Sequence, residues 1–355
     1  MLEIDGGKKS GSGTIVRDVI PFSALINRDV HIKNIRAKRD KPGLRPQHLR
    51  AVEAIADICN GELRGAKVGA REIWFRPGGY IKGGDFYWDI GTAGSTTMLA
   101  MALLPISLFA ERTSTFIIKG GLFQDFAPSA FHMQHVLFPT LRAMGASVDL
   151  EILQPGYVPM GQGRIKMTVE PLKTLLKSLE RTSQGKVEVI KGIALSSLLK
   201  ERRVSHRMAE ACENVLKAHG YRVEIKAIYD TKEKPAFKKP SVQPGACLAI
   251  WANTDKGCLL GSDMAGALGR TSEFIGKKTA KQLIQDLSTG ATLDRHLSDQ
   301  VIPYAALAEG MSRFIIPMMT DHVETRLWLV EEILGAKTEV DGNEVRIEGI
   351  GYLRE

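Results

Sequence analysis

Three times along the chain, apolar residues recur at helical spacing, the run halts at a glycine, and alternation of apolar and polar positions takes over. The first unit is LRAVEAIADICNGELRGAKVGAREIWFRPG, with Gly61 after the helical run. The second is VLFPTLRAMGASVDLEILQPGYVPMGQGRIKMTVEP, with Gly145, and the third is TRLWLVEEILGAKTEVDGNEVRIEG, with Gly335. A period near 3.6 gathers apolar side chains on one face of a helix, and a period of two gathers them on one face of a strand. Each unit therefore predicts an amphipathic helix closed by a left-handed glycine cap, then two half-buried antiparallel strands.

The spacing of the three glycines is uneven. Gly61 and Gly145 stand 84 residues apart and Gly145 and Gly335 stand 190 apart, an excess of 106 residues. That excess is the length of a small domain, so an insertion is expected between the second and third units, at about 185–290. Within it, SHRMAEACENVLKAHGYRVEIKAIY reads as a helix feeding a strand, DTKEKPAFKKPSVQPG as an exposed loop and TAKQLIQDLSTG as a closing helix. The expected architecture is α+β: a large three-unit domain from residues 1–184 and 291–355, carrying an inserted small α/β domain at 185–290. Repeated units that pack together leave a cleft where they meet, which is where a ligand site is expected.

Composition adds a compartment and a partner. The 355 residues are 44% hydrophobic and 25% charged, an ordinary globular balance. No stretch resembles a signal peptide or reaches the length of a membrane span, which leads us to expect a cytoplasmic protein. Cys59, Cys212, Cys247 and Cys258 are scattered without a CxxC pair, so neither a zinc site nor a disulfide framework is suggested, and buried thiols are expected. The net charge is +8, and residues 28–50 hold eight Lys or Arg against two Asp. Such a cluster suits a polyanion, because neutralised phosphates release counterions; a solvated basic face is the alternative.

Chemistry is concentrated in a few stretches. In TDHVETRLWLVEEILGA, Asp321 with Glu324 three residues later reads as an acidic capping box, which puts His322 near the first helical position. The positive end of the helix dipole disfavours an imidazolium there and favours the neutral, nucleophilic ring; an exposed or capping histidine is the plainer reading. DGGKKSGSGTIVR is glycine-rich and basic, so backbone amides with Lys8, Lys9 or Arg17 could approach a phosphate, although it is neither a P-loop nor a dinucleotide fingerprint. In RAKRDKPGLRPQH, Pro42, Gly43 and Pro46 fix a turn from which Arg36, Arg39 and Arg45 project. WDIGTAGSTTMLAMALLP sets small residues before an apolar helix, fitting either an anion site or a tight turn. Asp299 and Gln300 open a helix in HLSDQVIPYAALAEG, where Asp299 could ligate a metal or cap the helix. His132 and His135 lack a third ligand and read as helix-surface or partly buried residues.

The ordered set DGGKKSGSGTIVR, IRAKRDKPGLRPQHLRAV, FRPGGYIKGGDFYWDIGTAGSTT, YVPMGQGRIKMTVEP, GCLLGSDMAGALGR, HLSDQVIPYAALAEG and DHVETRLWLVEEIL resembles the RNA 3′-terminal phosphate cyclase family across nearly the whole chain. The resemblance implies three units, each with a small mixed four-stranded sheet and two helices, plus a smaller inserted domain. It implies a ligase that converts an RNA 3′-terminal phosphate to a 2′,3′-cyclic phosphate with ATP. His322, matching the family's HxxT segment with Thr325, would be the nucleophile that forms a covalent histidine–AMP. By the same correspondence Arg17, Arg39, Gln47, Asp299, Gln300 and Thr325 would hold ATP, while Arg36, Arg45 and His48 would hold the RNA end. A magnesium or manganese ion would sit at Asp299. The oligomeric state is left open, a homodimer being one alternative.

Four departures from the family pattern fall in the implied site. Ser10 stands for an acidic residue, Thr14 for a glutamine and Arg326 for an asparagine, while Met101 occupies a position expected to be polar. A hydroxyl is a poorer ligand than a carboxylate for a hard cation. Two other functions stay in view: a non-enzymatic RNA-binding or ribosome-assembly homologue, and adenylation of another phosphorylated nucleic-acid end. Enolpyruvyl transferases carry a related sheet-and-helix unit, so fold alone would not decide.

Overall fold

The computed structural model describes residues 1–354, and among them four mixed four-stranded sheets pack with helices in an α+β arrangement. The first sheet has the order Leu2–Asp5, Val30–Lys33, Ile73–Arg76, Glu62–Arg64, the first pair parallel and the others antiparallel. Helices Gly13–Leu25 and Pro46–Cys59 make its connections. The second sheet has the same order of strands and senses with Gly84–Asp89, Ser114–Gly120, Gly163–Glu170 and Ser147–Gln154. In the third, Glu180–Arg181, Glu309–Ile315, Glu344–Ile350 and Lys337–Asp341 follow that order again. The fourth sheet falls between Arg181 and Glu309 in sequence: Val223–Asp230, Val187–Ser197, Gly245–Thr254, Leu259–Ala265, with helices Val204–Ala218 and Ser272–Ser288 packed on it.

Alternating burial along Ser114–Gly120 and Gly163–Glu170 shows why these segments are strands, since one face meets helices and the other meets solvent. One hydrophobic cluster runs through the first three sheets, and a second, around Ile190, Leu216, Leu248, Ile250 and Leu283, belongs to the fourth. The helix Gly13–Leu25 lies among helices Pro46–Cys59, Thr96–Ser107 and Asp321–Leu329, and every one of its residues is buried. Its polar residues Thr14, Arg17 and Asp18 must therefore find partners inside the protein.

Two of the three helix-ending glycines take the expected left-handed conformation, Gly145 at φ 100° and Gly335 at φ 77°. Gly61 does not. Asn60 adopts the left-handed conformation instead, at φ 52°, and Gly61 is needed for space, because a Cβ there would lie 2.7 Å from Phe75 Cε2. All four cysteines are buried free thiols. No helix among the described residues is long and apolar enough to cross a membrane.

His135 is half-buried and stacks on Trp251 at 4.1 Å, but His132 is not a surface residue. It is fully enclosed, with Nε2 3.1 Å from Asp294 Oδ2. The same carboxylate accepts from the amides of Gly261, His296 and Leu297, tying the second-sheet helix to the fourth sheet and to the chain's return. Burial opposes the imidazolium, but Asp294 outweighs it and raises the His132 pKa; burial likewise opposes Asp294 ionising, yet His132 holds it down to about 2. A raised histidine stabilises the fold below its unfolded value and loses that contribution as pH rises through the folded one; a depressed carboxylate loses its contribution as pH falls through its folded value. The pair thus contributes most between about pH 4 and 6.5. We expect His132→Leu to cost about 3–5 kcal/mol in urea denaturation within that window, because it strands a buried carboxylate. A loss that does not vary with pH would show that only packing was removed.

Candidate active site

Segments more than 300 residues apart meet at two helix starts. Residues 6–12 turn from the strand Leu2–Asp5 into the buried helix Gly13–Leu25, whose cap is Ser12, its hydroxyl accepting from Thr14 N at 3.3 Å. Gly13 is fixed by close approach, since a Cβ would lie 2.1 Å from His48 Nε2. The facing helix Asp321–Leu329 is capped by Thr320, which accepts from Val323 N at 3.2 Å. The cap is therefore one residue earlier than Asp321, and His322 is the second helical residue.

The two helix starts are joined directly. Ser10 N donates to Thr325 Oγ1 at 3.1 Å, and Lys9 pairs with Glu324 at 2.8 Å. Thr14 Oγ1 lies 3.0 Å from His322 Nδ1 and also accepts from Arg17 Nη2 at 3.2 Å. Partial desolvation, reinforced by the guanidiniums of Arg326, Arg17 and Arg39, lowers the His322 pKa below the ordinary 6.5 against the opposing pull of Asp299. The ring is neutral at pH 7, as its place at a helix start suggested. Arg17 is buried, which pushes its pKa down to about 10, so it remains a cation.

Beneath this pair lies a chain of buried charge. Arg326 Nε donates to Asp18 Oδ2 at 2.8 Å, and its Nη1 lies 3.0 Å from Asp299 Oδ2, off the hydrogen-bonding direction, so that this second contact is Coulombic. Asp18 went unnoticed in the sequence. Its only signal is a charged residue following Arg17 in an apolar helix, and its partner is 308 residues away.

The remaining expected residues divide into those near the histidine and those engaged elsewhere. Thr325 lies against Ser10 and donates to Asp321 O at 2.5 Å. Gln300 is buried, its Oε1 without a partner among the described residues. Arg36, in a left-handed conformation, donates to Lys41 O at 2.5 Å and Gly43 O at 2.9 Å and so holds the basic turn. Arg39 and Arg45 form no ion pair among the described residues. Gln47 accepts from Ser95 N at 3.2 Å, bracing the start of the helix Thr96–Ser107. His48 is buried, and its Nδ1 accepts from Arg45 N at 3.2 Å; burial and Arg17, Arg36 and Arg45 keep it neutral. Met101 is half-buried and packs against the hydrophobic core.

A resident divalent cation does not fit these donors. No group of three or more His, Cys, Asp or Glu among the described residues could hold one, and Arg326 already occupies Asp299 Oδ2. A neutral imidazole flanked by guanidiniums and helix-start amides suits attack on a phosphorus centre, where charge develops on oxygen.

An α+β protein with a site of this kind belongs among enzymes of phosphate chemistry, and the comparisons with known proteins narrow it. Residues 8–340 match the family described as RNA 3′-terminal phosphate cyclase. The chain is 36% identical over 345 residues to the RNA 3′-terminal phosphate cyclase of Methanopyrus kandleri, covering 97% of this chain and 96% of that one. It is 34% identical over 348 residues to that of Archaeoglobus fulgidus, covering 98% and 100%. The chain belongs to the RNA 3′-terminal phosphate cyclase family. Among solved structures, the EPSP synthase of Acinetobacter baumannii aligns with 12% identity over 96% of this chain and 46% of its own length, at a TM-score of 0.42.

Proposed function

We propose that this chain converts the 3′-terminal phosphate of RNA to a 2′,3′-cyclic phosphate in an ATP-dependent reaction that passes through a covalent histidine–AMP. The observation that carries this reading is an uncharged imidazole held by Thr14 among cationic side chains. With the proton on Nδ1 and Thr14 Oγ1 accepting it, the Nε2 lone pair is left uncommitted. Nε2 attacks the α-phosphorus of ATP, a phosphorus–nitrogen bond forms, and the bond to pyrophosphate breaks. An oxygen of the RNA terminal phosphate then displaces His322 to give an RNA-adenylate. Last, the adjacent 2′-hydroxyl attacks the terminal phosphorus, loses its proton to solvent and expels AMP.

Within this scheme Arg17 and Arg39 hold ATP phosphates, Arg45 meets the RNA end, and Thr325, Gln300 and Asp299 shape the pocket around the histidine. Gln47, His48 and Arg36 act from behind by fixing the Ser95 turn, the Gly13 approach and the basic loop. Magnesium or manganese enters on ATP, as part of that substrate. The chain is read as a large domain of residues 1–184 and 291–355 with an inserted domain at 185–290, supported by the separate hydrophobic cluster of the fourth sheet.

The test is RNA labelled in its 3′-terminal phosphate, incubated with ATP. We expect the label to become phosphatase-resistant, and a terminal 2′-deoxy substrate to stop at the RNA-adenylate. RNA bound but unchanged would favour a non-enzymatic RNA-binding role, and adenylation confined to 5′-phosphate ends would redirect the substrate.

A further inference from the structure

We infer that the RNA strand leaves the catalytic cleft over the turn 36–45 and continues into a second, basic cleft on the open face of the first sheet. The inference rests on the RNA reading above and concerns nucleotides upstream of the reacting end. The cleft has a volume of about 460 Å³ and is bounded by Lys33, Lys67, Arg71, Glu72 and Trp74, with the 65–70 backbone as its floor. That is room for a nucleotide.

Its lining has the two features that single-stranded nucleic acid requires, namely cations for the backbone and an aromatic surface for a base. Trp74 is half-buried and stacks on His31 with ring centroids 4.4 Å apart and planes within 7°. Gly65 borders its ring, where a Cβ would come within 3.5 Å of Trp74 Cζ3, so residue 65 sets no side chain over that edge. Lys67 and Arg71 are exposed and form no ion pair among the described residues. Glu72, the one acid on the rim, is held by His31 at 3.3 Å, and Lys33 is held by Glu3 at 3.1 Å.

Contacts through the fold connect this cleft to His322. Ile35 N donates to Arg71 O at 2.9 Å, Leu44 N to Ala70 O at 2.9 Å and Gly69 N to Leu44 O at 2.8 Å, so the cleft floor and the basic turn form one body. On the other flank of that turn, Lys38 Nζ donates to Lys9 O at 2.7 Å, and Lys9 is bound to Glu324 beside the histidine. Lys38, Arg39 and Lys41 therefore bridge the interval between the two clefts with positive charge. A strand of RNA that follows them reaches Lys67, Arg71 and Trp74 past a single unpaired acid among the described residues, Asp40, which three cations outweigh.

The experiment compares a 3′-phosphorylated dinucleotide with a strand of about ten nucleotides, a length within the usual span of such sites. Wild-type protein should cyclise both, with a lower KM and a steeper salt dependence for the longer one. Lys67→Gln with Arg71→Gln should raise the KM of the long substrate about tenfold and flatten its salt slope by about two, one for each phosphate no longer neutralised, while leaving the dinucleotide kinetics alone. Trp74→Ala should raise the long-substrate KM with the salt slope unchanged, which separates stacking from charge. Equal KM for both lengths in wild-type protein, or variants that treat the long strand as wild type does, would overturn the track while the cyclase reading stood. Cyclisation of neither length would instead remove the reading on which it rests.

Discussion

An acid-labile AMP adduct on the wild-type protein, and none on His322→Ala, is the expected outcome of incubation with α-labelled ATP followed by a denaturing gel and intact mass. The loss should be about 10⁴-fold or more, because a covalent nucleophile has no partial substitute. Stability should change modestly, by about 0.5–1.5 kcal/mol, since only the partly buried hydrogen bond to Thr14 is lost, much of the residue faces solvent and the helix keeps its Thr320 cap. The pH profile separates a nucleophile from a bystander. The reactive form is the neutral ring, and desolvation with the neighbouring guanidiniums holds the His322 pKa below 6.5. Adenylation should therefore be level above neutrality and fall only below pH 6.5. A normal adduct on His322→Ala would sink the assignment, and a rate already falling well above pH 6.5 would mean that the surrounding cations do not govern the ring.

How far the sequence could lead depended on whether the relevant physics was local. Helical spacing, alternation and a glycine needing φ above zero are properties of a few consecutive residues, so Gly145 and Gly335 were legible as helix ends. Gly61 also marked a helix end, but the left-handed residue there is Asn60, and what requires glycine is space, which Phe75 from a neighbouring strand fills. His322 was legible as a histidine at a helix start. Its partner Thr14 was noticed only as a departure from a family pattern, and the contact between them spans 308 positions. His132 was misjudged for the same reason: the helix it sits on gives no hint that Asp294, 162 residues later, closes over it. A buried ion pair has no periodicity of its own, and only assembled segments reveal it.

Arg326 shows what such a pair can do to a site, and replacing it with asparagine should change both the stability of the fold and the chemistry of the histidine. Burial opposes its charge, but Asp18 and Asp299 more than restore it, and in turn it is the counter-charge for both carboxylates. Removing one partner of a buried pair strands the other, at a cost of about 3–5 kcal/mol. Arg326→Asn should lose that much in urea denaturation, and Asp18→Asn introduced alongside should return part of it, with a coupling energy of about 0.5–3 kcal/mol. The second consequence reaches His322. Arg326 lowers the pKa of that ring and holds Asp299, which raises it, so losing the arginine acts in one direction. The acid limb of adenylation should move to higher pH in Arg326→Asn and return toward wild type in Arg326→Lys, which keeps the charge but not the planar fork. A merely structural arginine would reduce the amount of folded enzyme without moving that limb. If the limb stays in place while stability falls, Arg326 is a core ion pair and nothing more; if both move together, one residue stabilises the fold and sets the protonation of the nucleophile.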